Sequence, residues 1–372
     1  MQIDQSATVL VTGATGFLGR ALLETLAKRD CNIRLFARPS TAGIESTAGI
    51  ESAAGIESTA GSKLAADYGA RLITGELTSA ADMRSACEGV THIFHLAATS
   101  QYSGSRANSP KTIYQSNVEG TRVLAECAAQ LTTPPRFVHV STVAVHGDTG
   151  AQAATETSAL SAKTAYEATK LEAERLLQDI ANRTSLRLTI LRPSAIVGPG
   201  DLRLLKLFRL ANRRLIPIIG SGDNRYQLIH VADMANILVA AAETERAIGQ
   251  TYVCGNSETL KLRELIELIA QSSSKSGTKR KKRMGRVISL PAGPVRTVVS
   301  LIEKICARMG VEPFLDANRI GFFSTNHWFE TNKLIADLGA PESAPEGHGL
   351  ITHSNASAVA DAQRWYEDQG LL

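Results

Sequence analysis

The first half of the chain alternates between two hydrophobic periods. The stretch "ATVLVTGATGFLGRALLETLAKR" opens with a β-branched apolar run, passes through glycines, and continues with apolar side chains at helical spacing: Phe17, Leu18, Ala21, Leu22 and Leu26. That order reads as strand, tight turn, helix. Further apolar runs at "NIRLFAR", "ARLITG", "THIFHLAA", "PRFVHVST" and "LRLTILRPS" are candidate strands, separated by helical stretches such as "SNVEGTRVLAECAAQL" and "AYEATKLEAERLLQDIA". The alternation predicts an α/β fold, a doubly wound parallel sheet with helices on both faces. Ligands of such sheets sit at the carboxyl ends of the strands, where the strand order reverses. Beyond "LRPS" the alternation weakens.

One stretch fits neither period. Residues 40–62, "STAGIESTAGIESAAGIESTAGS", repeat a six-residue unit nearly four times. Four copies give little more than one turn of a β-solenoid, and a glycine every six residues costs a helix about 1 kcal/mol each relative to alanine. The repeat falls between the second strand and the helix near "KLAADYG", where connections of about 2 to 6 residues are usual. Residues 40–61 are therefore read as a low-complexity insertion in a surface loop, mobile and close to the end of the second strand.

Three features carry candidate chemistry. Gly13, Gly16 and Gly19 form a G-x-x-G-x-x-G turn between strand and helix: Gly13 for the sharp turn, Gly16 for backbone approach to a pyrophosphate, Gly19 for close helix–sheet packing. The second strand ends at Ala37 and Arg38, with Arg34 inside it, where an acid would bind the ribose 2′-hydroxyl of NAD. Arginine suits a 2′-phosphate, so NADP(H) is favoured and NAD(H) stays open; the plainer alternative is that Arg38 ends a strand in solvent. Tyr166 and Lys170 lie four apart on one face of a helix, a spacing that lets a cation favour the phenolate. Some 25 residues earlier, "FVHVSTVAVHG" brings Ser141 and Thr142 to a strand end facing the same crevice, although such residues also serve as simple caps.

Composition changes this picture little. The chain has 372 residues, 44% hydrophobic and 20% charged, enough for one large domain or two closely joined ones. Its +4 balance is local: seven basic residues lie within 275–286, and the remainder is net negative. That run joins an apolar stretch with helical period at Val298, Leu301, Ile302, Ile305 and Met309; peripheral membrane contact is one reading, a solvated loop before a packed helix the plainer one. No aromatic residue interleaves the run, so nucleic acid is not an expected partner. Five single cysteines and eight histidines without metal-ligand spacing suggest neither a disulfide framework nor a metal site. The opening residues resemble no secretory signal, which makes the cytoplasm the expected location.

Taken in order, "TGATGFLG", "HLAA", "NVEGT", "STVAVHG", "YEATK", "LRPSAIVGPGD" and "GSGDNRYQLIHVADMANILVAA" resemble the extended short-chain dehydrogenase/reductase family, also called the NAD(P)-dependent epimerase/dehydratase family. The glycine turn and the arginines of the second strand look more like its dihydroflavonol-reductase and 3-beta-hydroxysteroid-dehydrogenase branches than its nucleotide-sugar epimerases. The resemblance implies a Rossmann-type domain at 1–193, rejoined by 228–255, and a smaller, mostly helical substrate domain from 194–227 and 256–372. It implies that Tyr166 is the proton donor and acceptor, that Lys170 holds the nicotinamide ribose and lowers the tyrosine's pKa, and that Thr142 bonds the reacting oxygen. Gly13, Thr15, Gly16, Phe17, Leu18 and Gly19 would cradle the cofactor, with Arg34 and Arg38 at the 2′ position. Glu76 and Leu77 stand where the family has Asp-Leu beside the adenine, Ala97 and Ala98 line the cofactor, and Pro193 belongs to the loop over the nicotinamide. Asn117 matches a structural asparagine.

The reading is an NAD(P)-dependent oxidoreductase acting on a secondary alcohol or ketone of a small lipophilic molecule, steroid-, isoprenoid- or flavonoid-like. The alternatives are a nucleotide-sugar epimerase or dehydratase that keeps its nicotinamide bound, and a non-catalytic NADP-binding sensor. A homodimer stays open, and 220–226 is the one loop singled out as a candidate substrate contact.

Overall fold

The computed structural model describes residues 1–39, 53–100, 109–273, 285–291, 293–295, 297, 299, 325–339 and 349–372. The basic run through residue 284, most of the apolar stretch after it and hexad residues 40–52 lie outside the described residues.

Seven parallel strands form the large sheet: β1 (Thr8–Thr12), β2 (Asn32–Ala37), β3 (Arg71–Thr74), β4 (His92–His95), β5 (Arg136–Val140), β6 (Arg187–Pro193) and β10 (Thr251–Cys254). Their order is β10-β6-β5-β4-β1-β2-β3. The order reverses between β1 and β4, which pair from Val9 with His92 to Thr12 with His95. Central β1 is covered on both faces and carries a near-continuous apolar run, with Val9, Leu10 and Val11 all fully buried. Helices α1 (Phe17–Leu26) and α8 (Val231–Glu243) pack on one face. On the other lie α3 (Ala80–Cys87), α5 (Gly120–Ala129) and α6 (Ala165–Arg183).

Between β2 and β3 runs α2, Ala53–Asp67, so the end of the hexad repeat is helix rather than loop. Packing corrects the propensity argument here. Leu64 is buried, and a Cβ on Gly61 would stand 3.4 Å from Leu72 Cδ1 and 3.5 Å from the Ala37 Cβ. The helix is held by the burial of Leu64 in the core, and a Cβ at Gly61 would make only ordinary contacts with the sheet.

A second apolar core gathers β7 (Ala195–Val197), α7 (Leu205–Ala211), β8 (Leu215–Ile219), β9 (Arg225–His230), α9 (Leu262–Ser273) and the last helix, numbered α11 (Asn355–Asp368) after α10 (Asn332–Leu338). Strand β9 lies between β7 and β11 (Thr259–Lys261), while β8 pairs in parallel with β12 (Arg286–Leu290). Leu228, Ile229 and His230 thus belong to this smaller sheet, and the chain rejoins the large one through α8 and β10. No helix among the described residues is long and apolar enough to cross a membrane.

Candidate active site

The first crevice wall is the turn after β1. Gly13 has φ +76°, and a Cβ there would lie 2.6 Å from the Ala97 backbone nitrogen, so only glycine lets this turn touch the end of β4. The Ala97 N–H also reaches Thr12 Oγ1 at 3.4 Å. Gly16 is the N-cap of α1, with no side-chain cap and no acid in the first turn, which leaves the helix's first N–H groups available to an anion. At Gly19 the close approach is to the turn itself, 2.4 Å from Gly13 O and 2.7 Å from the Ala14 Cα for a Cβ, rather than to the sheet as the spacing suggested. Thr15, Phe17 and Leu18 are half-buried around it. A cradle that a Cβ would fill, at a bare helix N-terminus, fits a dinucleotide's diphosphate.

Arg38 is exposed just past the end of β2, and the adjacent Gly75 N–H donates to Ala37 O at 3.1 Å, which places Glu76 beside it. Glu76 is exposed; Leu77 is half-buried, its Cβ standing where a side chain on Gly120 would go. The loop is fixed by Asp82, whose carboxylate accepts from the Glu76 N–H at 2.9 Å. Arg34 is a correction. Its guanidinium donates to Ala86 O and Glu88 O at the carboxyl end of α3. Helices in such units run antiparallel to the strands, so Arg34 caps a helix at the opposite edge of the sheet from the cofactor turn.

Tyr166 and Lys170 sit in the first turns of α6. Thr164 caps this helix: its Oγ1 accepts from the Glu167 N–H at 3.2 Å, and Glu167 Oε2 accepts from the Thr164 N–H at 3.0 Å, a reciprocal box. The helix packs against the short 3₁₀ turn Val143–His146, whose N-cap is Thr142. Thr142 Oγ1 accepts from the Ala144 N–H at 3.2 Å, so its own hydroxyl hydrogen is free to donate elsewhere. Ser141 beside it is buried, its Oγ without a partner among the described residues. Asn117 stands in a π turn, Gln115–Glu119, and accepts from the Thr99 N–H at 2.7 Å while donating to Thr99 O and Thr169 Oγ1. It ties the loop after β4 to α6. Pro193 is buried at the end of β6, while Ala97 is half-buried and Ala98 exposed.

Electrostatics departs from the expected pairing. Burial raises the Tyr166 phenol above its ordinary value; Arg203 opposes this and Glu167 adds to it. Arg203 belongs to the loop before α7, with its Nε on Asp201 Oδ1 at 2.9 Å and its guanidinium 5.3 Å from the Phe17 ring centroid. Lys170, 1% exposed, is lowered to about 8 by burial, with Glu174 opposing. Its Nζ meets Nε2 of His139 in β5 at 3.2 Å. Glu174 is engaged by Arg192, 2.6 Å at its closest, a buried ion pair extended by His146 and Glu156 O. Sequence reasoning missed Arg203 and His139. The quoted motif stopped at Asp201, and His139 looked like one more strand residue.

Elsewhere, His230, His353 and Asp361 bring donor atoms within 4.8 Å of one another, a gathering of separate segments that no spacing announced. The two rings stack at 3.8 Å, and His353 Nδ1 donates to Asp233 at 2.9 Å. His230 Nδ1, however, accepts from the Ala232 N–H at 3.2 Å to cap α8. That leaves the hydrogen on Nε2, which offers a cation no lone pair while this cap stands. In the 220–226 loop, Tyr226 is a core residue, 3% exposed, and does not line a crevice.

The model of the NAD dependent epimerase/dehydratase family matches residues 9–255. A 2-alkyl-3-oxoalkanoate reductase of Stenotrophomonas maltophilia is 28% identical over 94% of this chain and 99% of its own length. The 3beta-hydroxysteroid-dehydrogenase/decarboxylase isoform 2 of Arabidopsis thaliana is 28% identical over 75% of this chain, a match spanning half of that protein. In fold, the chain resembles UDP-glucuronic acid 4-epimerase from Bacillus cereus, solved in complex with NAD, with a TM-score of 0.69, 18% identity, and 97% and 99% of the two chains covered. This chain belongs to the NAD dependent epimerase/dehydratase family and is an enzyme of its NAD(P)-dependent oxidoreductase, epimerase and dehydratase chemistry.

Proposed function

We propose that the protein is an NADP(H)-dependent reductase or dehydrogenase of a ketone or secondary alcohol on a small, lipophilic substrate. The observation that carries the reading is the placement of Tyr166 and Lys170 on the capped start of α6, packed beside the Thr142 turn at the carboxyl edge of the sheet. Arg38, at the end of β2 where NAD enzymes use an acid, supports the 2′-phosphate. The names of the relatives, a 3-oxoalkanoate reductase and a hydroxysteroid dehydrogenase, support a carbonyl or carbinol on an apolar frame.

Gly13 and Gly16 would hold the diphosphate against the first N–H groups of α1, Arg38 the 2′-phosphate, Ala97 and Pro193 the nicotinamide side, and Lys170 the ribose hydroxyls. When bound, the nicotinamide supplies or accepts the hydride. In the reducing direction the Tyr166 hydroxyl gives its proton to the substrate oxygen as that oxygen gains negative charge, and the Thr142 hydroxyl donates to the same oxygen. The raised phenol keeps Tyr166 protonated at neutral pH, which suits the donor role. In the oxidising direction the phenolate must form; Arg203 is the cation that lowers the phenol, and Lys170 stands one turn further along α6.

Absorbance at 340 nm tests the reading with a panel of alkyl and cyclic ketones. The expected result is net oxidation of NADPH. Tightly held nicotinamide with no net consumption would instead assign the chain to the epimerase branch.

A further inference from the structure

Lys170 is a buried ammonium whose surroundings can be accounted for atom by atom. Glu174, one turn further along α6, is not its holder: both Glu174 oxygens receive N–H bonds from Arg192, at 3.1, 3.2 and 2.6 Å. From β4, His95 is occupied at both nitrogens. The Thr121 hydroxyl donates to Asn117 O at 2.7 Å, so its oxygen takes the His95 Nε2 hydrogen at 2.8 Å, and His95 Nδ1 accepts from the Thr12 hydroxyl at 2.7 Å. Tyr166 lies one turn earlier on the same helix. Among the described residues the one hydrogen-bond partner of Lys170 Nζ is His139 Nε2, at 3.2 Å. An ammonium has three donors and no lone pair, so His139 must accept, with its hydrogen on Nδ1.

While Lys170 is charged, the buried surroundings exclude the reverse arrangement. His139 is fully buried, its ring centroid is 5.2 Å from that of His95, and a proton on it would face the Lys170 charge directly. Its Nδ1 has no partner among the described residues, so the pairing at Nε2 is the hydrogen bond that the buried ring makes. We propose that neutral His139 is the positioning residue of Lys170, accepting one ammonium hydrogen from beneath the site and leaving two for the ribose hydroxyls of a bound cofactor. The part played toward the ribose rests on the reductase reading above; the pairing itself does not.

The pairing is tested in the free protein by NMR of [13Cε]lysine, with the Lys170 signal identified by its loss in Lys170→Arg. Wild-type Lys170 is expected to titrate at about 8. His139→Leu removes the acceptor that favours the charged form, and the midpoint falls by about one unit, roughly a tenfold change in the ratio of ammonium to amine. His139→Gln restores it, because its amide oxygen accepts the same bond. His139→Met is the second apolar variant should the leucine protein not fold. An unchanged midpoint in either folded apolar variant, or a fall in His139→Gln as large as in His139→Leu, overturns the proposal. The same variants report on catalysis: the alkaline limb of kcat/KM for NADPH-dependent ketone reduction moves to lower pH with leucine and returns with glutamine. Wild-type protein that reduces no ketone contradicts the reductase reading, while the NMR midpoints still decide the pairing.

Discussion

Arg38 stands exposed past the end of β2, next to Gly75 and Glu76, at the edge where the Gly13 turn opens. A guanidinium bound to a 2′-phosphate makes charge-assisted bonds worth about 1.5–3 kcal/mol. Arg38→Ala is therefore expected to weaken NADPH binding by about 10- to 100-fold in a fluorescence titration and to leave NADH nearly unchanged. Equal losses for the two would remove the basis for the NADP preference. At this scale the sequence was informative wherever a residue's role depends on its near neighbours: Gly13 needs positive φ because of its own turn, and Tyr166 and Lys170 share a face because helices have 3.6 residues per turn. It was uninformative where a role depends on which face of a strand a side chain takes and what it meets there. Arg34 and Arg38 look alike in "NIRLFAR", yet one caps α3 at the far edge. His139 and Arg203 acquire their neighbours only from tertiary packing.

Helix α6 is the element on which the chemistry rests, and its start is fixed by the Thr164–Glu167 box. Tyr166 is the second helical residue, so fraying of one turn would displace the phenol directly. Thr164→Ala is expected to cost about 1 kcal/mol in urea unfolding. A loss of activity larger than the loss of stability would show that the cap also aligns the tyrosine; no loss of either would contradict the cap's role. This helix was legible from its amphipathic period. The π turn at Gln115–Glu119 was not, because the reading of "SNVEGTRVLAECAAQL" as one regular helix has no mark for an extra residue, although that residue is what brings Asn117 to Thr99 and Thr169. In α2 local glycine propensity pointed to loop, and the packing of Leu64 into the core outweighed it.

At the scale of the whole molecule, the fold buries histidines that must stay uncharged. Burial lowers His95 to about 3 and His92 and His146 to about 4, the last also because of Arg192. The unfolded chain takes up these protons near 6.5, so between about 6.5 and about 4 it holds more protons than the folded one, and stability falls as pH falls. Urea midpoints are expected to be steady between about pH 7 and 8 and to drop clearly by pH 5; a flat profile from pH 7 to 5 would contradict the neutral-histidine account. That the sheet is parallel and doubly wound was legible from strand–helix alternation alone. The smaller core was not, because its strands are short and its elements come from separated parts of the chain.

The central claim is that this crevice moves a proton through Tyr166 while a nicotinamide exchanges a hydride with a ketone. Its most direct measurement is NADPH oxidation with an active ketone by wild-type protein and by Tyr166→Phe, alongside NADPH binding by both. The account predicts a rate reduced by about 10²- to 10⁴-fold in the phenylalanine protein with binding retained. An unchanged rate in Tyr166→Phe would contradict it.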